Sequence, residues 1–100
     1  MSLSKVITED RRLCILRLLN EEPDYSINHS VMKQALDALG HGTSEDVVLS
    51  EIAWLEEQGL VTVSTLDHGL KIVRITMRGS DVAAGRARVP GVKRPSPGRG

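Results

Sequence analysis

The apolar spacing of this chain changes character at Gly59, and that switch removes most folds from consideration. Before it, apolar residues recur every three or four positions; after it, two short runs alternate. A three-to-four spacing buries one face of a helix and a two-residue alternation buries one face of a strand. The spacing predicts a first helix from about Thr8 to Glu22. Thr8 is its expected N-cap, Ile7 a staple before the cap, Leu13, Leu16 and Leu19 the inner stripe, and Pro23 the stop. A second helix starts near Ser26 or Asn28, carries Met32, Ala35, Leu36 and Leu39, and ends at Gly40. A third begins after Thr43 or Ser44, in a sequence resembling a capping box with Asp46 in the Glu position. It turns Val48, Ile52 and Leu55 inward and closes at Gly59. Residues 60–64 and 70–75 then form two strands around a Gly-containing connection, and Thr76 caps a last short helix near Met77 to Ala87.

A chain of 100 residues makes one domain, and with Tyr25 and Trp54 as its only aromatic residues the core has to be aliphatic. The single cysteine, Cys14, excludes an intrachain disulfide and a multi-cysteine zinc site. Within Leu13-Cys14-Ile15-Leu16 it reads as a small core residue. No signal peptide and no membrane-spanning run is visible, so a reducing, cytoplasmic setting is expected. Charge divides the chain. Residues 1–85 hold all 13 acids and eight Lys or Arg, a net −5; residues 86–100 hold Arg86, Arg88, Lys93, Arg94 and Arg99 and no acid, a net +5. Residues 88–100 are rich in Pro, Gly and base, a composition that leaves too little apolar surface to offset chain entropy. The expected organisation is therefore a domain over 1–87 and a disordered basic tail over 88–100.

The fold class that follows is mainly α with a small β-hairpin, in the order α-α-α-β-β-α, a winged helix-turn-helix. The stretch Ser44-x-x-x-Val48-x-x-x-Ile52-x-x-Leu55-x-x-x-Gly59-Leu60-Val61 resembles the recognition helix and first wing strand of small bacterial regulators of the arsenic-repressor and multiple-antibiotic-resistance types. The chain also resembles short regulator-like proteins of Mu-like phages. The matching stretches are Ser4-Lys5-Val6-Ile7-Thr8-Glu9-Asp10-Arg11-Arg12, Ala53-Trp54-Leu55-Glu56-Glu57-Gln58-Gly59-Leu60-Val61, and Ala83-Ala84-Gly85-Arg86-Ala87-Arg88-Val89-Pro90-Gly91-Val92-Lys93-Arg94-Pro95. That resemblance implies a phage or prophage origin, while the likeness to the small bacterial regulators implies a DNA-binding transcriptional regulator.

A recognition helix meets base edges in the major groove, while Lys and Arg on phosphate supply most of the affinity. Ser44 to Gln58 holds five acids and no Lys or Arg. Candidate DNA contacts are thus the hydroxyls of Ser44 and Ser50, then His68, Lys71 and Arg74 of the wing, and Arg88, Lys93 and Arg94 of the tail. Val47, Leu49 and Trp54 cannot all point inward with the core stripe, and together with Glu51 they form a candidate protein interface. Two function classes remain open: a DNA-binding regulator, with a homodimer as one possibility, and a winged-helix module that docks a phage or host protein without binding DNA. Histidines at 29, 41 and 68 lack metal-ligand spacing, and no nucleophile–base set or phosphate loop is present; neither enzyme activity nor a cofactor or metal is expected.

Overall fold

The structure is a computed structural model that describes residues 2–96. Within the predicted tail, positions 97–100, Arg99 among them, lie outside the described residues. The element order is α1 (Leu3–Glu21), β1 (Ser26–Asn28), α2 (His29–Ala38), α3 (Glu45–Glu57), β2 (Val61–Thr65), a 3-10 turn at Asp67–Gly69, β3 (Lys71–Ile75) and α4 (Met77–Ala83). The described residues thus form four helices and one three-stranded antiparallel sheet in the order β1-β3-β2.

Two starts differ from the sequence expectation. Helix α1 begins at Leu3, five residues before Thr8, because the Ser2 side chain accepts the Lys5 N–H at 3.1 Å and satisfies one orphan donor of the first turn. Ile7 therefore lies inside the helix and is 40% exposed, where a staple before a cap was expected. Ser26 enters a strand that its short, polar sequence did not announce: Ser26, Ile27 and Asn28 pair with Arg74, Val73 and Ile72. Asn28 is the cap of α2 and Ser44 that of α3, their side chains accepting Val31 N–H at 2.9 Å and Val47 N–H at 3.2 Å. The capping box centred on Thr43 does not form, since Ser44 holds the cap position.

Leu13, Ile15, Leu16 and Leu19 of α1 meet Met32 and Leu36 of α2 and Val48, Ile52 and Leu55 of α3 in one cluster. The sheet covers it with the inward set Val61, Val73 and Ile75. Gly59 links the last helix of this layer to the sheet. With φ +76° it ends α3 in the left-handed conformation, and its N–H and that of Leu60 donate to the Glu56 and Leu55 carbonyls at 2.9 and 3.0 Å. Thr76 then accepts the Gly79 N–H and donates its hydroxyl to the Gly59 carbonyl at 2.8 Å, which ties α4 to the same junction.

Over residues 88–96 the structure differs from the expected disorder. Residues 88–96 lack regular secondary structure, yet Val89 and Val92 are 3% and 7% exposed and belong to the core cluster. The Lys93 N–H donates to the Glu9 carbonyl at 3.2 Å, and Arg12 donates to the Gly91 carbonyl at 3.1 Å. Gly91, at φ +100°, lies so close to Trp54 that a Cβ there would stand 2.7 Å from the indole. Composition pointed to disorder because it averages over the segment. Two buried valines, each worth about 1.5–3 kcal/mol, and two anchoring hydrogen bonds are enough to hold a short strap against a preformed groove.

Candidate nucleic-acid interface

Helix α3 presents Asp46, Ser50, Ala53 and Glu57 to solvent, a stripe opposite Val48, Ile52 and Leu55. Successive residues turn by about 100°, so the flanks of this stripe are fixed by what lies on either side of it. On one flank, Trp54 packs against Gly91 of the C-terminal strap and under the Arg12 guanidinium, whose carbon is 3.8 Å from the ring centroid. On the other, Glu45 lies 3.7 Å from His29 Nε2. His29 Nδ1 in turn accepts the Lys71 N–H at 3.0 Å, which joins this flank to the base of the β2–β3 hairpin. Helix α3 is thus bordered by the strap and by the hairpin.

Each border carries cations. The hairpin exposes His68 at its tip, in a left-handed conformation at φ +71° beside the exposed Leu66. Lys71 is partly buried and its ammonium donates to Thr65 Oγ1 at 3.1 Å across the hairpin. Arg74 lies on the outward face of the sheet, paired in register with Ser26 and Thr62. On the strap, Arg88 and Arg94 are exposed, while Lys93 reaches Asp10 at 3.3 Å. Arg74, Arg88 and Arg94 have no carboxylate within ion-pair distance among the described residues. Ser44 and Ser50 are exposed on α3, as required for contact with a ligand, although Ser44 also serves as the cap.

The candidate protein face of α3 is not assembled as expected. Val47, Leu49 and Trp54 are half-buried, and Glu51 is 5% exposed. Glu51 accepts from Arg11 Nη1 at 3.0 Å and from Arg12 Nε at 2.8 Å, an ion triad between α1 and α3. The sequence carried a signal for this: Glu51 stands three residues after Val48 and four before Leu55, on the margin of the buried stripe, where a carboxylate needs a partner. Arg11 and Arg12 supply it. Burial of Glu51 also leaves only Glu45, Asp46, Glu56 and Glu57 as exposed acids on α3. Arg78, a further base unsuspected from sequence, donates to the Gln58 carbonyl at the C-terminal end of α3, where the helix dipole favours a cation.

Next to the strap, Asp10 joins His41 Nε2 at 2.7 Å and the Lys93 ammonium at 3.3 Å. Partial burial raises the Asp10 pKa, but the hydrogen bonds from His41 and Lys93 outweigh it and hold the carboxyl below its ordinary value. Burial, reinforced by the Asp10 charge, pushes the Cys14 thiol up, away from the reactive thiolate form. No group of three or more His, Cys, Asp or Glu side chains able to hold a metal occurs among the described residues. Nor is any helix there long and apolar enough to cross a membrane.

No family model matches this sequence, and no solved structure matches it. Two curated proteins do. Uncharacterized protein gp26 of Escherichia phage Mu is 53% identical over 95 residues, covering 95% of this chain and 97% of the phage protein. An uncharacterized protein of Haemophilus influenzae is 44% identical over 78 residues, covering 78% of this chain and 76% of its own length. By the extent of that identity along almost the whole chain, the protein belongs to the family of Mu-like phage proteins typified by gp26.

Proposed function

We propose that this protein is a winged helix-turn-helix DNA-binding regulator of a phage or prophage, with its phosphate contacts on the two borders of α3. The observation that carries the reading is the placement of α3 between the β2–β3 hairpin and the basic strap. A tight α2–α3 pair followed by a hairpin whose tip stands clear of the core is the arrangement in which α3 enters a major groove and the hairpin flanks it. The net acidity of α3 is then offset from the sides. His68, Lys71 and Arg74 act from the hairpin, and Arg88, Lys93 and Arg94 from the strap, while Ser44 and Ser50 face the groove. Acids at 45 and 46 restrict what α3 reads, since a carboxylate accepts from a cytosine amino group but repels phosphate.

The test is a gel-shift comparison on duplex DNA from the early region of a Mu-like phage. Lys71→Glu with Arg74→Glu, or Arg88→Glu with Arg94→Glu, weakens binding by about tenfold or more, as lost phosphate contacts should. Absence of binding by the unaltered chain at low salt counts against the reading. A second reading, docking of a basic phage or host protein, is favoured by one observation: the exposed carboxylates Glu45, Asp46, Glu56 and Glu57 on one helix. Asp46→Lys with Glu57→Lys abolishes that docking and leaves DNA binding equal or stronger.

A further inference from the structure

Tyr25 has a backbone conformation that core packing does not explain. It stands at φ +58°, in the left-handed region that a residue with a Cβ enters only at a cost. Two backbone hydrogen bonds hold it there. Its N–H donates to the Glu22 carbonyl and its carbonyl accepts from the Ile75 N–H, both at 3.0 Å. The ring is not part of the core and is 50% exposed. Strained residues of this kind cluster at ligand-binding positions. Here the ring lines a cleft of about 460 Å³ between the end of α1, the turn before β1 and the start of α4. Small-molecule sites fall in a range of roughly 300–1,000 Å³.

The lining of this cleft carries one sign of charge. Arg74 enters it from β3, and no carboxylate lies within ion-pair distance of its guanidinium among the described residues. Glu21, Glu22, Asp24 and Asp81 neighbour the lining residues in sequence, yet none of them lines the cleft, and Asp81 is held by Arg86 at 3.2 Å. A second depression, beside Cys14, differs: Asp10 and Glu21 line it together with Arg17. The polar groups beside Arg74 are donors. Ser80 donates its hydroxyl to Asn20 Oδ1 at 2.9 Å, which occupies the amide oxygen and leaves the amide N–H groups for the cleft. The Tyr25 hydroxyl can donate as well. Thr76 is different, since its hydroxyl is committed to Gly59 and Gly79, and it adds wall only. The remainder is apolar: the nearly buried Ile75, the Tyr25 ring, and Met77, 80% exposed, whose flexible thioether adapts to the shape it meets. A cation with amide and phenol donors beside an apolar wall fits an anion that carries an apolar body. Arg meets a carboxylate through two parallel N–H bonds.

We infer that this cleft binds a small organic carboxylate with an apolar body, the carboxylate on Arg74 and Asn20 and the body against Tyr25, Ile75 and Met77. The site does not rest on DNA binding, and its test contains no DNA; where Arg74 also meets a phosphate, the two ligands exclude each other there. The full chain, isotopically labelled, is titrated with phenylacetate and with hexanoate while its amide resonances are followed. At least one acid should give saturable shifts centred on Tyr25, Ile75, Met77 and Ser80, with a Kd of about 1 mM or tighter. Phenylacetamide and hexanamide, the same bodies without the charge, should bind at least about tenfold more weakly. Arg74→Gln removes the cation at an exposed position, and Tyr25→Asn removes the ring while supplying a residue that takes a positive φ more readily. Both variants should keep the dispersed spectrum of the folded chain and weaken binding at least about tenfold. No saturable shift from either acid at about 10 mM overturns the proposal. So do an amide that binds as well as its acid, saturable shifts centred elsewhere, and affinity unchanged in either variant.

Discussion

At the scale of single residues, the informative groups are carboxylates whose surroundings were set by partners distant in sequence. Glu51 is held by Arg11 and Arg12, 40 and 39 positions away. Removing the carboxylate leaves two cations facing each other at a half-buried site, so Glu51→Ala should cost about 3 kcal/mol in urea unfolding, and more than Glu56→Ala on the exposed side. Asp10 gives a pH prediction. Its folded pKa lies below the ordinary carboxylate value, so between the two the unfolded chain binds more protons. The stabilisation from Asp10 is full above its ordinary value and is lost as pH falls through the depressed one. Thermal unfolding of Asp10→Asn should accordingly show a shallower loss of stability on acidification than the unaltered chain. Neither role is visible in composition. The margin position of Glu51 was legible from its offsets to Val48 and Leu55, but which of the eight bases before residue 86 would reach it depends on how α1 lies across α3.

At the scale of elements, periodicity identified the helices and the hairpin, because long apolar stripes and a Gly-punctuated alternation have few physical alternatives. The residues expected inward on α3, Val48, Ile52 and Leu55, meet Leu16, Leu19 and Leu36 in one observed cluster. Two elements escaped. Strand β1 is three residues long, with polar Ser26 and Asn28, and exists because β3 offers it an open edge. The strap after α4 escaped because Pro and Gly mask two buried valines. Gly91 makes the strap testable. An alanine there must adopt φ near +100° and push its Cβ into Trp54, so Gly91→Ala should destabilise the fold by about 1–3 kcal/mol. Gly42→Ala, where a Cβ would make only an ordinary contact at 3.6 Å, serves as the comparison. Loss of the strap should also appear as faster proteolysis after Arg86 and Arg88. Equal stability of Gly91→Ala and the parent chain would show that the strap does not hold.

At the scale of the whole molecule, the division into an acidic body and a basic end is not, among the described residues, a division into folded and unfolded parts. The strap packs against Trp54 of the most acidic helix through Gly91, and its Lys93 reaches Asp10 of α1. This is the part of the candidate site that composition hid: the residues were nameable, but the packing of their segment against Trp54 required the strap to be folded. The central claim is that cations on the hairpin and the strap, not on α3, hold DNA. The most direct measurement is fluorescence anisotropy of labelled duplex DNA titrated at several salt concentrations, for the full chain and for Arg88→Glu with Arg94→Glu. Each phosphate neutralised contributes about 0.9 to the slope of log K against log salt. The account predicts a steep slope for the full chain that falls by about two units in the double variant, with Glu45→Ala and Asp46→Ala leaving affinity equal or higher. A slope the same in the double variant, or no binding at low salt, would contradict it.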